Sequence, residues 1–66
     1  MEIIVNGESE EVETGKKLAK FLASKDLKLS EIVVEYNQEI IKEDKWKNTI
    51  LAEGDKLEIL KFVGGG

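Results

Sequence analysis

Residues 1–25 read MEIIVNGESEEVETGKKLAKFLASK, and the turn inside this stretch decides the fold. Asn6-Gly7 follows the apolar run Ile3-Ile4-Val5. An Asn-Gly pair accepts two successive positive φ angles at little cost, so it predicts a tight hairpin. Residues 2–5 then form one strand, and residues 8–13 return beside it. The acids of that return and its lone Val12 predict one exposed face. Thr14 suits a helix N-cap, and Gly15 gives the chain room to turn. Leu18, Phe21, Leu22 and Ala23 then recur near helical spacing, which predicts a helix over residues 16–25. Lys16, Lys17, Lys20 and Ser24 point mostly outward from it.

Past the helix, residues 26–30 read as a connecting loop. Residues 32–36, IVVEY, are β-branched and aromatic and read as a strand. Asn37-Gln38 turns the chain, and residues 39–41 make a brief further run. The polar residues around Trp46 fit a single helical turn over 42–47, with Trp46 covering the sheet's edge rather than binding a ligand. Ile50-Leu51 is a short apolar anchor and Gly54-Asp55 a turn. Residues 56–63 form the last strand, followed by Gly64-Gly65-Gly66. The order is hairpin, helix, then further strands. It predicts an α+β domain over residues 1–63, a mixed sheet with one helix packed across one face. A crossover returning in parallel is expected to be right-handed. Residues 64–66 are expected to be a flexible C-terminal glycine tail.

Composition narrows the chemistry. The chain has 66 residues, 10 lysines, 14 acids and a net charge of −4. It contains no His, Cys, Arg or Pro. Without Cys there is no thiolate nucleophile or zinc-thiolate site, and without His no imidazole base or imidazole-ligated metal. Without Arg there is no bidentate clamp for phosphate. An acidic chain is a poor nucleic-acid binder. No apolar run approaches the ~18 residues of a membrane helix, and MEIIVNG lacks the basic region of a secretory signal. The expectation is a cytoplasmic, non-enzymatic domain without metal, nucleic acid or membrane. Charge is uneven: residues 1–13 are acidic, while residues 14–28 carry five lysines. The basic block reads first as a solvated helix face and second as a rim for an acidic partner.

Alternation in the last strand sets Leu57 and Ile59 on one face and Glu58, Leu60 and Phe62 on the other. With Leu57 and Ile59 toward the helix, Leu60 and Phe62 lie on the open face. Ile4 joins them if Ile3 and Val5 face the core, and Val33 joins them if Ile32, Val34 and Tyr36 do. Exposed apolar residues near the tail mark a partner site, whose candidates are Ile4, Val33, Leu60, Phe62, Val63, Gly64 and Gly65. Tyr36 reads as structural. The reactive candidate is the Gly66 carboxylate. A bare carboxylate repels nucleophiles, whereas an acyl-adenylate carries a good leaving group. Glycine has no Cβ to block a narrow channel or attack on the carbonyl. The alternative reading of the glycines is a frayed terminus.

These pieces together resemble the ThiS family, the ubiquitin-like sulfur carriers of thiamin biosynthesis. The resemblance runs through Ile3-Ile4-Val5-Asn6-Gly7, Leu18 and Leu22, Asn37, Ile40-Ile41, and Glu43-Asp44-Lys45-Trp46. It continues in Leu51, Gly54-Asp55, Leu57-Glu58-Ile59 and Phe62-Val63-Gly64-Gly65-Gly66. Two departures are the third glycine, Gly64, and Gln38, where the family usually has Gly. The resemblance implies a β-grasp fold. It implies a ThiF-type adenylating enzyme that spends ATP, with magnesium, on the Gly66 carboxylate. It further implies a cysteine desulfurase or other sulfur donor, a Gly66 thiocarboxylate, and thiazole synthase as the acceptor. The carrier itself would bind no cofactor. Two alternatives remain: the small subunit of molybdopterin synthase, and a non-covalent β-grasp interaction module with an inert tail.

Overall fold

The computed structural model describes residues 1–62. The Asn6-Gly7 turn joins β1 (Glu2–Val5) to β2 (Glu8–Glu11), which pair antiparallel. Asn6 at φ 49° and Gly7 at φ 83° both lie in the left-handed region that such a hairpin requires. The chain then forms α1 (Leu18–Ala23), a 3₁₀ turn over Leu29–Glu31, β3 (Ile32–Tyr36), β4 (Glu39–Ile41), α2 (Glu43–Trp46) and β5 (Lys56–Lys61). The five strands stand in the order β2-β1-β5-β3-β4. β5 runs parallel to β1 and antiparallel to β3, so the sheet is mixed. The last strand therefore fills the centre, between the first strand and β3 from the middle of the sequence.

Several boundaries differ from the sequence reading. Thr14 does not cap α1. Residues 16 and 17 remain extended and form a bridge with Ile50, through Leu18 N–H to Thr49 O and Leu51 N–H to Lys16 O, each 2.8 Å. The backbone is thus committed to pairing until Lys17, at ψ 145°, and the helix starts at Leu18. It ends early because Asp26 turns left-handed at φ 59°, a conformation a short polar side chain tolerates. Ala23 is exposed rather than part of the apolar face. β2 stops at Glu11 and β5 at Lys61, both short of their expected ends.

One face of the sheet carries the core. Ile3, Val5, Ile32, Val34 and Leu57 project from the strands onto Leu18, Phe21 and Leu22 of α1, with Trp46 and Leu51 completing the cluster. Trp46 is core rather than ligand platform: its indole N–H donates to Ile41 O at 3.0 Å, so the buried ring keeps no unpaired donor. Of the Ile50-Leu51 anchor only Leu51 is buried; Ile50 points outward.

A buried carboxylate ties the lower end of the sheet together. Asp55, 8% exposed, accepts hydrogen bonds from the Tyr36 hydroxyl at 2.7 Å, the Asn37 side-chain amide at 3.1 Å and the Ala52 backbone N–H at 2.7 Å. Its own carbonyl accepts from Ile4 N–H at 2.9 Å. Charge buried without partners is costly, and these donors remove that cost. The knot fixes the entry to β5 against both β1 and the β3–β4 turn. Tyr36 is structural, as expected.

Candidate functional site

Among the described residues, no helix covers the face of the sheet turned away from α1. Strand pairing assigns its residues directly, because cross-strand partners share a face. Val33 stands opposite Leu60, Glu35 opposite Glu58, Ile4 opposite Lys56, and Glu35 also opposite Ile40. Burial agrees: Ile3, Val5, Ile32, Val34 and Leu57 are buried, while Ile4 and Val33 are half-buried and Leu60 and Phe62 are 52% and 46% exposed. All four apolar candidates that lie among the described residues are therefore on the open face.

They do not form one cluster. Val33 and Leu60 are direct neighbours, and Phe62 continues the row at the C-terminal end, where its N–H bonds Glu31 O at 3.0 Å. Ile4 is level with Lys56, four residues before Leu60, roughly 13 Å back along the strand. It lines instead a shallow cleft of about 330 Å³ with Gly7, Glu35, Gln38, Lys56 and Glu58. Phase alone places a residue on a face; the level comes from register, which depends on how β1 and β5 meet. Val63, Gly64, Gly65 and Gly66 lie outside the described residues.

Two features of this face were not expected from sequence. Ile40, on the edge strand β4, is 69% exposed beside Glu35. Alternation in residues 39–41, read against Glu35, was the available signal. The second is the anchoring of β5. Asn6 Oδ1 accepts from Ile59 N–H at 2.7 Å and Asn6 Nδ2 donates to Ile59 O at 3.4 Å. The turn residue thereby extends the pairing of β1 along β5, and the strand that leads to Phe62 is held on both sides. Gln38 at φ 75° completes a tight turn with Asn37 at φ 50°, so the departure from Gly leaves the turn intact but strained.

Chemically the face offers an apolar row, carboxylates and the Lys56 ammonium, with no nucleophile poised beside a base among the described residues. Among the described residues no group of three or more acids is placed to hold a metal ion. No helix among them is long and apolar enough to cross a membrane. The arrangement can dock a protein and present whatever follows Phe62.

Comparison with known proteins gives the same direction. The model of the ThiS family matches residues 2–66. A sulfur carrier protein ThiS from Bacillus subtilis is 42% identical over 45 residues, covering 68% of each chain. A thiazole synthase from Paramagnetospirillum magneticum is 30% identical over 66 residues, all of this chain and 20% of that protein. The chain thus spans about 20% of the length of the thiazole synthases it matches. Among solved structures, the crystal structure of a thiamine biosynthesis protein (ThiS) from Geobacter metallireducens superposes with a TM-score of 0.86 at 29% identity, covering all of both chains.

Proposed function

This chain belongs to the ThiS family, and on that footing we propose that it is a sulfur carrier for thiazole assembly in thiamin biosynthesis. The observation that carries the reading is the family match through residue 66, joined to a β-grasp whose central strand, β5, is the last element before Gly64-Gly65-Gly66 in the sequence. A ThiF-type enzyme adenylates the Gly66 carboxylate: one carboxylate oxygen attacks the α-phosphorus of ATP, and pyrophosphate leaves. That enzyme, not this chain, binds the ATP and magnesium. Sulfur then replaces AMP at the carbonyl: sulfide does so directly, whereas a persulfide from a cysteine desulfurase or another donor first gives an acyl disulfide, whose S–S bond a thiol reductant cleaves. Gly66 ends as a thiocarboxylate, with sulfur where one oxygen was. Thiazole synthase takes the sulfur.

The carrier catalyses none of these steps. Its contribution is a rigid strand that delivers an unbranched end, together with a face that positions the end in a partner. Leu60, Phe62 and Val33 form the grip next to the tail, with Val63, Gly64 and Gly65 leading into the partner's channel. Ile4 belongs to the same face at its far end. All of this takes place in the cytoplasm. The thiazole synthases that contain a matching stretch support that enzyme as a partner, since a segment fused to an enzyme works beside it.

Intact-mass measurement tests the reading. After incubation with a ThiF-type enzyme, ATP, magnesium and a sulfur source, the chain gains the mass difference between sulfur and oxygen. A variant lacking Gly66 gains nothing yet keeps its circular dichroism spectrum and melt. A wild-type mass that stays unchanged under these conditions sinks the carrier reading and leaves the non-covalent module in its place.

A further inference from the structure

The open face holds like charges directly against one another. Glu35 on β3 is the register partner of Glu58 on β5, and Glu2 on β1 is the partner of Glu11 on β2. By the alternation that puts Phe62 N–H on Glu31 O, Glu35 and Glu58 form a hydrogen-bonded antiparallel pair, whose Cα atoms lie about 5.5 Å apart. Like charges in that position destabilise a sheet. Lys56, two residues before Glu58, stands on the same face and lines the same cleft, but it is not within ion-pair distance of either carboxylate; the ion pair found among the described residues, Lys25 with Glu10, is on the other side of the sheet. The Glu35·Glu58 row lies immediately beside the Val33·Leu60 row, with Ile40 at its outer end. Of the lysines of residues 16–28, Lys20 lies on α1, which covers the opposite face, and the others lie in the stretches that flank that helix.

We propose that the protein surface covering this face is apolar and cationic, and that it seats a lysine or arginine side chain between Glu35 and Glu58. The proposal deepens the docking role given above to the same face and rests on that reading. Its logic is complementarity: the fold tolerates an unpaired carboxylate couple because the partner neutralises it while Val33, Leu60 and Phe62 fill an apolar recess. A rim of charge around an apolar anchor sets register and partner choice. The same carboxylates disfavour an anionic lipid surface or a nucleic-acid backbone on this face, leaving a protein as the occupant. They also fix orientation, since the basic helical side cannot take the same partner surface.

The test uses the full chain and a ThiF-type adenylating enzyme, read by ATP–pyrophosphate exchange against carrier concentration at several salt concentrations. The isosteric double variant Glu35→Gln/Glu58→Gln raises the apparent KM of the carrier roughly tenfold and flattens its dependence on salt. Its melting temperature is at or above that of wild type, because a repulsion has been removed. Glu58→Lys gives a second reading: it places opposite charges across the two strands, so the melting temperature rises while KM rises further. Unchanged KM and salt dependence in both variants overturn the proposal and leave the carrier reading intact. Absence of exchange with the wild-type chain overturns the carrier reading and this proposal with it.

Discussion

The side chain of Asn6 pairs with the backbone of Ile59 as a strand residue would, accepting its N–H at 2.7 Å and donating to its carbonyl at 3.4 Å. One residue thus does two jobs, since the same Asn supplies the first positive φ of the β1–β2 turn. Asn6→Gly separates them. Glycine keeps the turn and removes the amide, so stability falls by about 1 kcal/mol, the net worth of such bonds. Amide hydrogen exchange at Ile59 accelerates. Asn6→Ala loses more, because it adds the cost of a left-handed alanine. An Ile59 amide that exchanges as slowly in Asn6→Gly as in wild type would refute the clamp.

Tyr36 gives a pH dependence. Burial, then the hydrogen bond to Asp55 and its negative charge, push the phenol from 10.0 up to about 12. The folded state therefore holds this proton more tightly than the unfolded state does. The resulting stabilisation is complete below pH 10 and is lost as pH rises through about 12. Denaturant titrations between neutral pH and pH 12 show a falling stability for wild type. Tyr36→Phe removes this part of the slope. It also lowers stability at neutral pH by roughly 1–3 kcal/mol, because Asp55 loses a donor.

Gln38 predicts a gain. At φ 75° it stands where only glycine is free of strain. A left-handed L-residue costs roughly 1–2 kcal/mol, and glycine gives back about 0.5–1 kcal/mol through its freer unfolded chain. Gln38→Gly is expected to stabilise by about 0.5–1 kcal/mol, read as a higher denaturant midpoint at unchanged slope.

Packing separates two positions that look alike in sequence. Leu22 is fully buried and Ile59 only half-buried against the cluster. Leu22→Ala is expected to cost roughly 2–5 kcal/mol, a large share of the stability of so small a domain. Ile59→Ala costs clearly less. Equal losses at the two sites would contradict the core boundary drawn here.

Phe62→Ala tests the grip beside the tail. The ring is 46% exposed, so its removal leaves the melting temperature near wild type. The apparent KM of the carrier for adenylation rises, and Leu60→Ala behaves alike. Val33 is the register partner of Leu60, so Val33→Ala follows in the same direction.

What the residue order conveyed was whatever depends on neighbours along the chain. Asn6-Gly7 dictated the hairpin, and the β-branched stretch at 32–36 dictated a strand. The alternation of 57–62 put Leu60 and Phe62 on the open face. Features set by distant partners were not available in this way. Thr14 has the chemistry of a cap, but pairing between Lys17 and Ile50 keeps the helix from starting beside it. Asp55 reads as a turn residue until Tyr36 and Asn37, 19 and 18 positions away, are brought onto its carboxylate. Ile4 has the right face but the wrong level, because its position along β5 follows from a parallel register that no local pattern encodes.

The placement of β5 has a mechanical consequence. It is the middle strand of five, bonded to β1 on one side and β3 on the other. A pull applied beyond Phe62 runs along the strand axis and loads both ladders in shear, so their bonds must yield together. An edge strand pulled sideways would peel, one bond after another. Tension drawn through residues past Phe62 is therefore borne by the sheet as a whole, and the domain can be hauled by that end without being unravelled from it.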